Sequence, residues 1–156
     1  MDTVMCDQTT VETTEQPGAL PPPPASAYID VTHVAGQAYA VFVREHELTV
    51  DQPVAAGGDD DGPTPVELFV SSLAACVAYY AGRFLERHHV SCEGLRVRAE
   101  FDMADDRPAR VGAVRMRIVL PARLSEARRR ALCAVVNHCT VHNSLRRPPE
   151  ITVVAD

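Results

Sequence analysis

A capping box opens a helix that is apolar on nearly every side, and that pairing limits what the rest of the chain can build. In Thr64-Pro65-Val66-Glu67 the threonine and the glutamate stand three apart. They can satisfy each other's backbone N–H groups, and a proline at the first helical position gives up an N–H that would have no partner anyway. Leu68, Phe69, Val70, Leu73, Ala74, Ala75, Val77, Ala78, Tyr79 and Tyr80 follow. With so little polar face, such a helix must be covered, so it is predicted to be central and buried. A membrane span is the competing reading. Ser71, Ser72 and Arg83 interrupt a run that is barely long enough, so no membrane is expected.

The flanks read as strands and one further helix. Alternation begins at Tyr28 and predicts strands through Ile29–His33, Tyr39–Val43 and Glu47–Asp51. Gly57 to Pro63 is a turn-rich loop. Leu95, Val97, Ala99, Phe101 and Met103 alternate with charged residues, and Val114, Met116, Ile118 and Leu120 form the returning strand. Ser125 caps a helix over Glu126–His138, whose apolar face is Leu124, Ala131, Leu132, Val135 and Cys139. Residues 140–146 are a short turn or helix, and Ile151–Val154 is the last strand. The sum is an α+β fold of antiparallel sheets around two central helices. Residues 28–156 form one domain. Residues 1–27, with Pro21 to Pro24, read as a disordered tail that cannot bury a core.

Charge and cysteine usage narrow the function. The formal charge is -6 and all 15 basic residues are arginine, with no basic stripe for a nucleic acid. Without lysine there is no Schiff-base or P-loop chemistry. Five cysteines stand at positions 6, 76, 92, 133 and 139, behind a polar, acidic start that is no signal peptide. The expected location is the cytoplasm, where a working disulfide is transient and catalytic. Cys6 and Cys92 read as incidental or structural.

Cys76 and Cys139 both fall on apolar helical faces. Two such thiols are either two satisfied core residues or a redox pair. Attack on a peroxide bond needs a thiolate, and the sulfenic acid it leaves is vulnerable unless a second thiol condenses with it. Cys139 is a better partner than Cys133, which shares the wetter helical side with Glu126, Arg130 and Asn137. His138 and His142 flank Cys139, yet no Cys-x-x-Cys accompanies them, so neither a metal nor another cofactor is expected.

In order, the chain carries a Gly-Gly…Gly-Pro-Thr-Pro-x-Glu-Leu helix start, a mid-helix Cys76 and Arg107-Pro108-Ala109-Arg110-Val111 between two amphipathic strands. Cys139-x-Val141-His142 and Pro149-Glu150-Ile151 follow. Over residues 30–154 this resembles the OsmC/Ohr family of thiol-dependent hydroperoxide reductases. The resemblance implies an intertwined homodimer with each site at the subunit interface. It implies a peroxidatic Cys76, a resolving Cys139, an organic hydroperoxide as substrate and a dithiol reductant, typically lipoyl-linked.

The family also holds its thiolate with an arginine and a glutamate, and here the chain departs from the pattern. No cation precedes Arg44, although the family arginine lies near the first strands. Glu67 is nine residues before Cys76, about half a turn off a straight helix, and doubles as the capping acid. Arg83, seven residues after Cys76, is the alternative cation. The catalytic candidates are therefore Cys76, Cys139, Glu67, Arg44 and Arg83. The expected function is reduction of organic hydroperoxides. The alternative is a non-catalytic dimer of the same fold that binds a small apolar ligand.

Overall fold

The structure, a computed structural model, describes residues 28–155. The expected tail at 1–27 and Cys6 lie outside the described residues. Two compact units divide the rest: residues 28–71 with 101–113, and residues 72–100 with 114–155.

In the first unit β1 (Asp30–Ala35), β2 (Ala38–Val43) and β3 (His46–Val50) form an antiparallel meander in that order. Tyr39 faces Val50, and Val41 faces Leu48 across the inner pair. The β2–β3 turn puts Arg44 at a φ of 56°, exposed. Every residue of β1 is exposed.

The loop after β3 is built on a residue that the sequence did not single out. Asp51 is only 1% exposed. Its Oδ2 accepts the N–H of Asp59 at 2.9 Å and of Asp61 at 3.1 Å. Gly58 and Gly62 are required by the closeness of this fold-back. A Cβ at Gly58 would lie 2.0 Å from the Gln52 carbonyl oxygen, and one at Gly62 2.3 Å from that of Thr49. The N–H of Gln52, with those of Asp61, Asp59 and Asp60, holds the Asp51 carboxyl below its ordinary 3.8 against the opposing effect of burial. The folded-state value is depressed. The stabilisation is therefore full above pH 3.8 and is lost as pH falls through the lower folded value. Asp51→Asn, which removes the charge that those N–H groups stabilise, is expected to lower Tm at neutral pH and flatten its fall in acid. Parallel Tm-against-pH curves would refute the assignment.

α1 (Pro65–Arg87) runs from this unit into the next. It is long and apolar enough to cross a membrane by composition, but one face is packed in protein. Leu73, Cys76, Val77, Tyr80, Ala81, Phe84 and Leu85 join Leu132, Val136 and Cys139 in a buried cluster. The two-stranded sheet of β4 (Arg96–Met103) and β5 (Val111–Val119) adds Val97, Val114, Met116 and Ile118 to it. These are the inward positions expected from the period-2 pattern. α1 is not buried all round: Phe69 and Tyr79 are each 37% exposed.

α2 (Glu126–Val136) starts at Ser125, whose hydroxyl accepts the Arg128 N–H. Three details of this region differ from the sequence reading. α2 stops at Val136, because the N–H groups of His138 and Cys139 turn back three residues, to Val135 and Val136, and tighten the end. Ala131 is exposed, and Val136 takes the buried place. Residues 140–146, read as a short turn or helix, do form a helix, α3 (Thr140–Arg146). Ile151–Val154 forms no strand, and Ile151 is 79% and Val153 90% exposed. A strand needs an edge to pair with, and no described strand takes it up.

Candidate active site

Cys76 lies on the inward face of α1, 7% exposed among Leu73, Val77 and Tyr80. Cys139 was expected on the apolar face of α2. It sits instead in the extended link after α2, at φ -64° and ψ 146°, as the N-cap of α3. Its Sγ accepts the His142 N–H at 3.4 Å. The His138 carbonyl in the same link accepts from Asn143 Nδ2 at 3.1 Å. Cys139 is fully buried and lies in the same buried cluster as Cys76, close enough that Cys76 disfavours its ionisation. The expected pair is therefore brought together, by a cap rather than by a helix face.

Burial, the largest influence, pushes the Cys139 thiol up to about 11; the His142 N–H opposes it and the neighbouring Cys76 adds to it. At neutral pH Cys139 is a thiol, able to donate to an anion beside it. The half-buried His142 ring is held below the ordinary imidazole value by burial first, then by Arg146 and His138. It therefore favours the neutral form, and what His142 gives the Cys139 sulfur is its backbone N–H.

The other candidates are engaged elsewhere. Glu67 accepts both the N–H and the hydroxyl of Thr64, at 2.8 and 2.9 Å, and donates its own N–H to Thr64 Oγ1 at 3.2 Å. Those bonds hold its carboxyl below the usual range, Thr64 N–H first. Arg83 is exposed and donates to the Tyr79 hydroxyl at 3.3 Å. Arg44 stays at the tip of the β2–β3 turn. Cys92 donates to the Gly82 carbonyl at 3.4 Å, as a structural thiol would.

One contact went unread in the sequence. The Tyr80 hydroxyl meets Thr140 Oγ1 at 3.3 Å. Tyr80 is one helical turn from Cys76, and Thr140 adjoins Cys139. The i, i+4 spacing was a usable signal; that the two hydroxyls face each other was not.

The family described as OsmC-like protein matches residues 58–154, well over half of the sequence. The chain belongs to the OsmC-like family. Solved structures share this OsmC-like fold. A protein from Psychrobacter arcticus 273-4 named for osmotic stress induction and detoxification response is 23% identical, with a TM-score of 0.69 over 74% of this chain and 85% of that one. An OsmC-like protein from Mycoplasma pneumoniae is 16% identical, with a TM-score of 0.65 over 79% and 89%. An organic hydroperoxide resistance protein, OsmC, from Legionella pneumophila is 19% identical, with a TM-score of 0.60 over 80% and 91%. No curated protein matches the sequence. The α+β architecture with antiparallel sheets agrees with this OsmC-like assignment, with three α-helices among the described residues.

Proposed function

We propose that this chain is a cysteine-based peroxidase that reduces organic hydroperoxides. The observation that carries the reading is that two buried free thiols, Cys76 and Cys139, share one buried cluster. The Legionella relative is named for organic hydroperoxide resistance, which supports a role in peroxide stress.

The cycle balances with these groups. The Cys76 thiolate attacks one oxygen of the hydroperoxide, the O–O bond breaks, and the alkoxide takes a proton to leave as an alcohol. Cys76 is now a sulfenic acid. Cys139 attacks the Cys76 sulfur, and its thiol proton leaves with the displaced hydroxyl as water. The Cys76–Cys139 disulfide returns to two thiols by exchange with a dithiol, a lipoyl-type one in this proposal, which ends as its own cyclic disulfide. The apolar surroundings of Cys76 favour substrates with an apolar substituent. A reducing cytoplasm fits this cycle. Arg44 and Arg83 remain candidates for holding the thiolate once substrate is bound.

A homodimer belongs to the same proposal. Phe69 and Tyr79 on α1, the whole of β1 and the segment Ile151–Val154 are exposed apolar or strand-forming surface that a second copy would cover. Sedimentation at micromolar concentration is expected to give twice the chain's 17.0 kDa. A stable folded monomer would refute this part.

A second reading is kept because Glu67 and Arg83 are bonded to Thr64 and Tyr79: a dimer that binds a small apolar ligand without turnover. One measurement separates the two. After one equivalent of an alkyl hydroperoxide, intact mass and peptide mapping are expected to show a Cys76–Cys139 disulfide. An unchanged protein with unchanged hydroperoxide would favour the binding reading.

A further inference from the structure

Two pairs of residues link the same two stretches of chain, one by a shared buried cluster and one by a hydroxyl contact. Cys76 and Tyr80 are four apart on α1 and so project from one face of the helix. Cys139 and Thr140 are consecutive, the cap and first residue of α3. Cys76 and Cys139 lie in one buried cluster, and one turn further along α1 the hydroxyl of Tyr80 meets that of Thr140. Tyr80 is only 6% exposed, so its ring is fixed in the core while its hydroxyl reaches the α3 start. Tyr79 packs edge-on against that ring with centroids 5.7 Å apart, which further restricts it.

The segment that carries Cys139 needs such a tie. It lies in the link between two helices, and α3 has only seven residues. A disulfide demands a sulfur separation near 2 Å and a narrow range of torsions. The two thiols are free and not bonded to each other, so Cys139 must advance on Cys76 without sliding along α1. A second rung one turn away permits the advance and resists the slide.

We propose that Tyr80 and Thr140 are positioning residues whose hydroxyl contact keeps the Cys139 link in register with α1 for closure of the Cys76–Cys139 disulfide. Neither hydroxyl reacts. Each raises the effective concentration of one thiol at the other, the general advantage of a held geometry. The inference rests on the peroxidase reading only in assigning that closure to the catalytic cycle.

The test separates the two. The purified full chain is equilibrated in mixtures of reduced and oxidised glutathione, and peptide mapping scores the Cys76–Cys139 disulfide. The ratio yields the effective concentration of the thiol pair with no peroxide present. Tyr80→Phe and Thr140→Val are each expected to lower it about fivefold, the typical net worth of one neutral hydrogen bond. The double variant should fall no further than either single one, since all three lose the same contact. In a Cys139→Ser background, the rate at which hydroperoxide converts Cys76 to sulfenic acid should be unchanged by Tyr80→Phe.

Effective concentrations within twofold of wild type would overturn the proposal. So would a double variant that multiplies the single effects, or an equal slowing of the sulfenic acid step, because those are marks of general loosening. Thr140 is exposed, so Thr140→Val keeps the test open if Tyr80→Phe folds poorly. A wild-type chain that closes the disulfide in glutathione yet ignores hydroperoxide would end the peroxidase reading and leave the positioning role standing.

Discussion

Cys76→Ser is expected to abolish hydroperoxide consumption in the presence of a dithiol, by on the order of a thousandfold or more, the scale on which loss of a covalent nucleophile acts. The serine hydroxyl is not ionised at neutral pH and its oxygen does not cleave an O–O bond. Cys139→Ser should behave differently. The first oxidation at Cys76 would proceed, but its sulfenic acid would have no thiol beside it. Mass spectrometry should then show Cys76 gaining one oxygen and, with excess hydroperoxide, two or three, an irreversible course. The asymmetry follows from the structure: Cys139 is sealed at 0% exposure and kept protonated, whereas Cys76 retains 7%. Equal activity in wild type and Cys76→Ser would remove the peroxidase proposal altogether.

Leu85→Ala should be among the most destabilising changes in the described residues. Leu85 is 0% exposed near the end of α1 and belongs to the cluster that also holds Cys76 and Cys139. Removing its isobutyl group leaves a cavity bounded by helix and sheet side chains that can only partly collapse. Such changes cost about 2–5 kcal/mol. In a chain of this size each kcal/mol lowers Tm by about 2–4 °C. Calorimetry on Leu85→Ala and on the exposed control Leu145→Ala checks this, since Leu145 is 44% exposed. A Leu85→Ala Tm within a degree or so of wild type would mean that the helix packs differently.

Much of the fold was legible because it rests on local rules. The capping box of Thr64 and Glu67 forms as written, and β4 and β5 turn Val97, Val114, Met116 and Ile118 toward the core as alternation selects, although Met103, also expected inward, is 47% exposed. Both thiols join one buried cluster, although Cys139 reaches it for a different reason than helical spacing suggested. Periodicity carried the α2 pattern through to Cys139, whereas the chain turns at Asn137 and hands Cys139 to α3 as its cap. A cap is decided by which N–H groups need partners, and cysteine is not a usual choice, so no pattern announces it. Asp51 was hidden likewise: its role depends on N–H groups eight and ten residues away, brought back by glycines. Ile151–Val154 reads as a strand by composition, yet composition names no pairing edge.

Net charge concealed a further property. Residues 72–100 with 114–155 carry twelve arginines against five acids, whereas residues 28–71 with 101–113 carry eleven acids against three arginines. These nearly cancel, to -1, and the chain-wide figure of -6, which also counts Asp2, Asp7, Glu12, Glu15 and Asp156, hides the division. The loop held by Asp51 is where much of the negative charge is concentrated, and there backbone and side chain have separate duties. The N–H groups of Asp59 and Asp61 supply the architecture, while the carboxylates of Asp59, Asp60 and Asp61 point their charge outward from exposed positions. Asparagine at all three would keep every N–H, and it suits the φ of 62° at Asp60. The formal charge would move from -6 to -3 with the loop's shape intact. Colloidal behaviour is thereby separable from conformation in this protein: mutual repulsion between molecules can be tuned at three side chains without disturbing the carboxylate that holds the loop closed.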